Sequence, residues 1–502
     1  MIYFDNEKPT ALVSFYSDLI DKPMPMVEFD STLINRSQCK QLVTFMTEKE
    51  QEIFRRIYKP VYIEDCPVTE LEAYSYEEFY KNIFENEPYY KRDLKGIDKI
   101  ADGNNLYKSA TKCEKDVDWK ESVKRYRINK IKNITKTQEE LISGKYKQKD
   151  PRVFPLKERG KIRLIKSSHY EDRVVQKSLN DNVLFPLIEP KLIYDNSASR
   201  ENKGLDHSRN RFKRSLQNAY KRWGDDCYVL LIDFSKYFDN ILHDKFIDKL
   251  AKDLDPEYIN FIIDRFKEFE VDVSYLSDEE FKNSLHTLFN SLDYNMIPDD
   301  LKTGKKFMKK SVGIGSQTSQ ITGLYYPNDI DTYCKIVRGI KEYGRYMDDT
   351  YIILQSKEEL KNLLENHIKP ICDELGIFIN TKKTKIQNIR EPIKFLKLNH
   401  LVQDNGAVIR KVDNSTFKRE HKRLRKLRNL VEKKKVMTIE EALQCYKSWR
   451  GVYKKYDSGH KIKNLDDHFL ELFPECNKHM LHKGISYKDG LDIQKMIDSR
   501  SQ

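Results

Sequence analysis

Asp233 closes the apolar run of residues 227–234 (CYVLLIDF), and Asp348 and Asp349 stand side by side in residues 344–354 (GRYMDDTYIIL). The first stretch has strand length, and its near-continuous apolarity marks a buried central strand. The second reads as two strand-like halves around a polar centre, a β-hairpin with the acidic pair at its turn. A carboxylate at the end of a buried strand is costly to ionise unless cations or donors compensate it, and three such groups brought together repel one another. A divalent cation resolves that conflict, and hard oxygen ligands of this kind suit Mg²⁺, with Mn²⁺ as a substitute. Two such ions, roughly 3.5–4 Å apart, can activate an attacking oxygen and stabilise the leaving oxygen of an in-line phosphoryl transfer. An isolated Asp-Asp pair is more often a plain polar turn. Here apolar strand residues on both sides, with Tyr346 and Met347 before the pair, shift the reading toward metal.

These groups need a framework, and the chain is long enough to build one. Its 502 residues, 39% hydrophobic and 11% aromatic, exclude a disordered chain and a small stapled scaffold. With 91 Lys and Arg against 79 Asp and Glu, the formal net charge is +12, a hint of an anionic partner. The charge is segregated: residues 1–100 carry 13 basic and 19 acidic side chains, a net of −6, so the remainder carries +18. Eight cysteines are scattered without a C-x-x-C pair, against a zinc ribbon or disulfide framework and for a reducing compartment. The chain does not open with a basic segment followed by a long apolar run, and nowhere do 18 apolar residues run together. A soluble cytoplasmic protein without a membrane partner is expected.

Residues 1–120, acidic and rich in Tyr and Phe, read as a helical N-terminal extension, with amphipathic spacing in residues 70–84. A Lys-rich link at 120–149 leads to strand (VFPLK), turn and strand (KIRLIK), then a helical region from Tyr170 to near Pro186. Residues 240–300 are mostly helical in pattern, and the Gly-rich GIGSQTSQ begins a helix expected to run through Tyr333. Residues 410–435 hold 12 basic and three acidic side chains over a stripe of Leu424, Leu427, Leu430 and Val431, an amphipathic basic helix.

Tyr346-Met347-Asp348-Asp349 resembles the Tyr/Phe-x-Asp-Asp box of reverse transcriptases, and Asp233-Phe-Ser-Lys-Tyr-Phe-Asp239 resembles their first palm motif. Residues 312–320 (VGIGSQTSQ), 375–385 (LGIFINTKKTK) and 395–400 (FLKLNH) resemble the three remaining motifs, and all five occur in the family's order. The resemblance, over roughly residues 120–465, implies an α+β right-hand polymerase with an antiparallel palm sheet. It divides the chain into the extension (1–120), fingers (121–225), palm (226–405) with an insertion near 271–310, helical thumb (406–470) and C-terminal tail (471–502).

The resemblance also implies roles. Asp233 and Asp348 would bridge two Mg²⁺ ions, with Asp349 a less direct third carboxylate and the Phe234 carbonyl a further ligand. Phe238 matches the aromatic that lies under the sugar and excludes a 2′-hydroxyl, which implies deoxynucleoside triphosphates. Gly315 and Ser319 match the loop that supports template and incoming base, although Ile314 stands where many relatives have Gln. Lys161 and Arg163 share one face of a basic hairpin that resembles the fingers and are candidates for gripping the triphosphate. Arg173 and Arg200 also fall where the family keeps basic residues. One of Lys382, Lys383 and Lys385 would donate a proton to the departing pyrophosphate. Residues 395–400 resemble the primer grip, with Phe-Leu-Lys in place of Phe-Leu-Gly. The basic helix takes the place of a thumb tracking an RNA–DNA duplex by its phosphates.

The sequence shows no His/Cys-rich endonuclease segment, no acidic RNase H constellation after the thumb and no retron-type Val-Thr-Gly. Together with the insertion and extension, the texture resembles the bacterial "unknown group" of reverse transcriptases associated with antiphage defence. That resemblance implies a noncoding RNA template, priming from a protein hydroxyl in some members, and homo-oligomers. The alternatives are a reverse transcriptase of a diversity-generating or group II-like retroelement, and a non-catalytic RNA-binding protein on the same fold.

Overall fold

The computed structural model describes residues 2–5, 10–14, 26–30, 96–158 and 160–483. These form two compact units. The first takes the described residues up to Leu192 with Lys236–Asn328 and Leu375–Phe378; the second takes Ile193–Ser235, Asp329–Glu374 and the described residues from Ile379. Helices and antiparallel sheets occur together, as the expected α+β class requires. No helix among the described residues is long and apolar enough to cross a membrane.

In the first unit, Ile2–Asp5, Thr10–Ser14 and Met26–Asp30 pair consecutively as an antiparallel meander. Only helices were expected there; runs such as TALVS and MVEFD, rich in β-branched and apolar residues and separated by Pro and Asp, favour strands instead. The helix expected over residues 70–84 lies outside the described residues. Helices do follow, at Ile97–Ala101, Gly103–Glu114, Glu121–Ile128 and Lys130–Ile142. Asp102 caps the second of these by accepting from the Asn105 N–H at 2.9 Å.

The basic hairpin pairs Arg152–Glu158 with Lys161–Ser167 along its whole length. Val153, Phe154, Leu156 and Ile162 stay exposed, and a bare two-stranded ribbon is marginal by itself. Its anchor is Ile165, which bridges Ile314, with the Lys166 N–H donating to the Ile314 carbonyl at 2.9 Å. The helix that starts at Gln317 is interrupted only at Tyr326 and Pro327, where proline lacks the helical N–H, and resumes over Asn328–Thr332 to reach Tyr333 as expected. The segment around 271–310 is built on a short pairing of Val271–Asp272 with Phe307–Met308 and a small core of Val271, Val273 and Met308. The Lys310 ammonium closes it by donating to the carbonyls of Ser284, Leu285 and Thr287 at 2.7–3.4 Å.

The second unit holds the antiparallel sheet that carries Asp233. Strands β1 (Tyr228–Ile232), β2 (Tyr343–Tyr346), β3 (Asp349–Leu354) and β4 (Lys385–Asn388) lie in the order β4-β1-β3-β2. Val229 and Leu231 of β1 and Tyr351 and Ile353 of β3 bury one face against Phe212, Leu216 and Ala219 of helix α1 (Leu205–Trp223). Leu230, Ile232 and Ile352 on the other face are buried too, which is why β1 reads as apolar throughout. A second sheet follows, β5 (Ile393–Phe395), β6 (Leu398–Val402) and β7 (Val408–Val412). The basic segment is helix α2 (Asn414–Glu432), capped by Asp413, and it packs Phe417, Leu424 and Leu427 on helices Ile439–Tyr453 and Gly459–Leu472. Met480 and Leu481, expected in a C-terminal tail, belong to this core; residues beyond 483 lie outside the described residues.

His400 of β6 is buried edge-on against Phe212, with ring centroids 4.8 Å apart, and burial pushes its imidazole down to about 3. The unfolded chain takes up this proton below about pH 6.5 while the folded chain does not, so folding loses stability as pH falls from 6.5 toward 3. His400→Phe should therefore remove about 2 kcal/mol of the stability loss between pH 6.5 and 5. Denaturant titrations of both proteins at the two pH values check this; parallel losses would refute it.

Candidate active site

Thr350 of β3 pairs with Ile232 at the end of β1, and one more step of that register sets Asp349 opposite Asp233. Opposed antiparallel residues lie about 4.5–5.5 Å apart at Cα. Tyr346 pairs with Asp349 across the hairpin, so Met347 and Asp348 form a two-residue turn. Met347 has φ 55° while Asp348 has negative φ, the pattern of a type II′ turn, whose first position favours glycine. A methionine there costs roughly 1–2 kcal/mol, which neighbouring contacts must offset.

A loop from the same unit cradles Asp233. Its carbonyl accepts from the Asn380 N–H at 2.8 Å, and its own N–H donates to Thr384 Oγ1 at 3.4 Å. The Asn380 amide donates to the carboxylate at 3.2 Å, and the Lys383 ammonium contacts both carboxylate oxygens at 2.6 and 2.8 Å. Phe234 is buried, and an antiparallel bridge to Ile379 fixes its backbone. Of the three lysines open on sequence, Lys383 is the one at the carboxylate. Asn380 and Thr384 were not singled out, because nothing in their type or spacing reports on a loop that folds back on a distant strand end.

The electrostatics of this cluster call for a cation. Burial, then the charges of Asp348 and Asp233, push Asp349 up to about 7, against the opposing pull of Lys383 and Lys397. A carboxyl that burial and two acidic neighbours push up to about 7, beside an ammonium drawn to Asp233, belongs to a donor set that fits Mg²⁺. Among the described residues no group of three or more His, Cys, Asp or Glu side chains is gathered so as to hold a metal ion. Mg²⁺ usually binds through one or two carboxylates plus waters and substrate phosphates, so an open set is what it needs. Asp233, Asp348, Asp349 and the Phe234 carbonyl are the groups that would hold such ions, which supply activation of an attacking oxygen and charge stabilisation at phosphorus.

The other expected site residues lie in the first unit, except Arg200, which belongs to the second. Phe238 is half-buried, and its ring rests on Gly323, where a Cβ would come within 2.9 Å of it. The Tyr237 hydroxyl donates to the Gly323 carbonyl at 2.6 Å, so the absent side chain makes room for both rings. Gly315 has φ 128°, and a Cβ there would sit 2.6 Å from the Lys166 carbonyl, which ties this loop to the hairpin. Ser319 is buried and donates its hydroxyl to the Val312 carbonyl, so it braces the loop from inside. Lys161 and Arg163 are both exposed on the ribbon; Arg163 pairs with Glu158 at 3.0 Å. Arg173 and Arg200 are turned inward: Arg173 donates to the Ser168 carbonyl and Ser167 hydroxyl, and Arg200 to the carbonyls of Ile193 and Asn196.

Two outcomes follow from this geometry. Lys383→Ala removes the cation that competes for Asp233, so Mn²⁺ should bind several-fold more tightly in calorimetric titration; unchanged or weaker binding would count against the competition. Gly315→Ala places a methyl against the Lys166 carbonyl in a left-handed backbone, and should lower stability by about 2–3 kcal/mol. A thermal melt indistinguishable from that of the parent would refute the close approach.

Residues 147–400 match the family model described as reverse transcriptase (RNA-dependent DNA polymerase). Among solved structures the chain is similar to telomerase from Candida albicans in complex with a TWJ fragment of telomeric RNA, at 14% identity over 70% of this chain and 59% of that one, with TM-score 0.36. It is also similar to apo telomerase from Candida tropicalis, at 15% identity over 54% of this chain and 50% of that one, with TM-score 0.33. The chain thus spans about 50–59% of the length of these two structures. No curated protein matches it. The family match extends over half of the chain and takes in Asp233, Asp348, Asp349 and the loop around Lys383, and on that match the chain belongs to the reverse transcriptase (RNA-dependent DNA polymerase) family.

Proposed function

We propose that this protein is an RNA-directed DNA polymerase that adds deoxynucleotides to a DNA end on an RNA template, with two Mg²⁺ ions assisting the phosphoryl transfer. The observation that carries the reading is the register of β1 and β3, which sets Asp349 opposite Asp233 with Asp348 at the adjoining turn. In this reading the carboxylates and the Phe234 carbonyl hold the ions, and Mn²⁺ substitutes for Mg²⁺. Lys383, already at the carboxylates, is the lysine that gives a proton to the departing pyrophosphate. The Phe238 ring, fixed on Gly323, excludes a 2′-hydroxyl, and Lys161 and Arg163 grip the triphosphate.

Residues 121–225 act as fingers, 226–405 as palm and 406–470 as thumb. Lys418, Lys422, Arg425 and Lys426 of α2 are exposed while Leu424 and Leu427 are buried, so a cationic stripe faces outward from a fixed core. Such a stripe neutralises the phosphates of an RNA–DNA duplex without reading its sequence. We further infer a noncoding RNA as template and a cytoplasmic role in antiphage defence, with homo-oligomers as the working form. The insertion near 271–310, with its own small core, and the acidic extension support this, since both depart from a compact polymerase.

Asp348→Asn with Asp349→Asn should abolish Mg²⁺-dependent incorporation of deoxynucleotides, at least 10³-fold by analogy with loss of other charge-stabilising groups, and leave RNA binding largely intact. Undiminished synthesis would sink the metal assignment. Sequencing of nucleic acid that copurifies with the protein should find one RNA with complementary DNA; RNA without DNA would favour a binding protein instead.

A further inference from the structure

One charged pair in the second unit lies outside every role assigned above. Arg345 of β2 and Asp331 are both fully buried, and the guanidinium grips the carboxylate with two arms, Nε to Oδ1 at 2.8 Å and Nη2 to Oδ2 at 2.6 Å. The Tyr343 hydroxyl donates to Oδ1 at 2.6 Å and the Asn196 amide to Oδ2 at 3.3 Å. The main chain of Arg345 is pinned as well: its N–H donates to the Asp195 carbonyl at 3.2 Å, and its carbonyl accepts from the Ser197 N–H at 3.3 Å.

A buried ion pair is a poor device for stability, since desolvating two charges offsets most of their attraction and apolar replacements of similar volume often serve as well. This one has a third arm. Arg345 Nη1 donates to the Met347 carbonyl at 3.0 Å. That carbonyl belongs to the peptide joining Met347 to Asp348, and Met347 is the residue held in a left-handed backbone where glycine would be at ease. Strained conformations persist only where their surroundings over-determine them. Fixing this peptide plane fixes the direction in which the Asp348 Cα–Cβ bond leaves the turn.

We infer that Arg345, clamped by Asp331, is a positioning residue that holds the Met347–Asp348 turn and thereby aims the Asp348 carboxylate. The inference rests on the polymerase reading for its catalytic consequence, but not for its structural content. A fixed guanidinium fork can bind the carboxylate and the turn carbonyl together; a lysine ammonium in its place satisfies Asp331 and lets the turn go.

The test compares Arg345→Lys and the charge-neutral pair Arg345→Gln with Asp331→Asn against the parent full-length chain. Thermal melts first establish that each variant folds, and the neutral pair keeps the fold measurable if a single change does not. Mn²⁺ binding, followed by its electron paramagnetic resonance signal, should weaken about tenfold in folded protein, and kcat for nucleotide addition should fall by about 10²-fold at nearly constant KM for the nucleotide. Arg345→Lys should recover the melting temperature better than the Mn²⁺ affinity. Folded variants that keep parental Mn²⁺ affinity, and kcat where the parent is active, would overturn the inference by showing the pair to be merely structural. A parent that binds Mn²⁺ but polymerises nothing would instead refute the polymerase reading, and the Mn²⁺ measurement would still decide the role of Arg345.

Discussion

The register between β1 and β3 is the constraint on which the site depends. A strand displaced by one residue turns every side chain to the opposite face, so a slip would carry Asp349 away from Asp233 and exchange the packing of Tyr351 and Ile352. Packing forbids the slip. Tyr351 lies across Gly344 of the neighbouring strand, where even a Cβ would sit 2.7 Å from the ring, and the ring is wedged among Phe212, Phe395 and the Ser215 hydroxyl. The apolar contacts that bury the sheet are therefore also the contacts that align its acids. Stability and chemistry share one set of residues.

A single device recurs at two tight turns of the second unit. Leu396 and Lys397, between β5 and β6, both have positive φ, and the buried Arg209 guanidinium donates to the Leu396 carbonyl through two nitrogens at 2.7 and 3.0 Å. Arg345 does the same for Met347. In each case a non-glycine turn is held by an interior cation whose counter-charge is supplied within the unit, Asp206 for Arg209 and Asp331 for Arg345. Glycine would make these turns easier to form and easier to deform. Larger residues under a guanidinium brace give a turn with fewer alternatives, which suits a hairpin that must present a carboxylate. The lysine that replaces glycine in the Phe-Leu-Lys segment belongs to this pattern, and its charge also opposes the upward push on the pKa of Asp349.

What was legible in the sequence was what is local. The apolar run ending in Asp233, the hairpin centred on Asp348 and Asp349 and the basic helix over its leucine stripe each follow from periodicity within about a dozen residues, and the structure places strands and helix there. What was not legible depends on partners far apart in the chain or on the direction of a side chain. Lys382, Lys383 and Lys385 are equivalent as letters, and only the fold of their loop brings Lys383 to Asp233. Ser319 reads as a polar residue beside a ligand loop, yet its hydroxyl is spent on Val312. Arg173 and Arg200 fall where the family keeps basic residues, yet backbone carbonyls claim them. Arg345 left a trace that went unused: a cation in the middle of an otherwise apolar strand needs a buried partner, although nothing in its neighbours names Asp331. The expected helix through Tyr333 is present with one break at a local signal, Pro327.

The pairing of Val271–Asp272 with Phe307–Met308 brings the two ends of the segment around 271–310 to one point, just before Lys310 bridges back to Leu242. A loop whose ends are already joined adds little closure cost as it lengthens. Its interior, folded on a core of its own and latched by one ammonium, can be shortened, lengthened or exchanged while the backbone on either side keeps its path. The protein thus carries a segment in which descent can write new recognition without rewriting the strands that hold the acids.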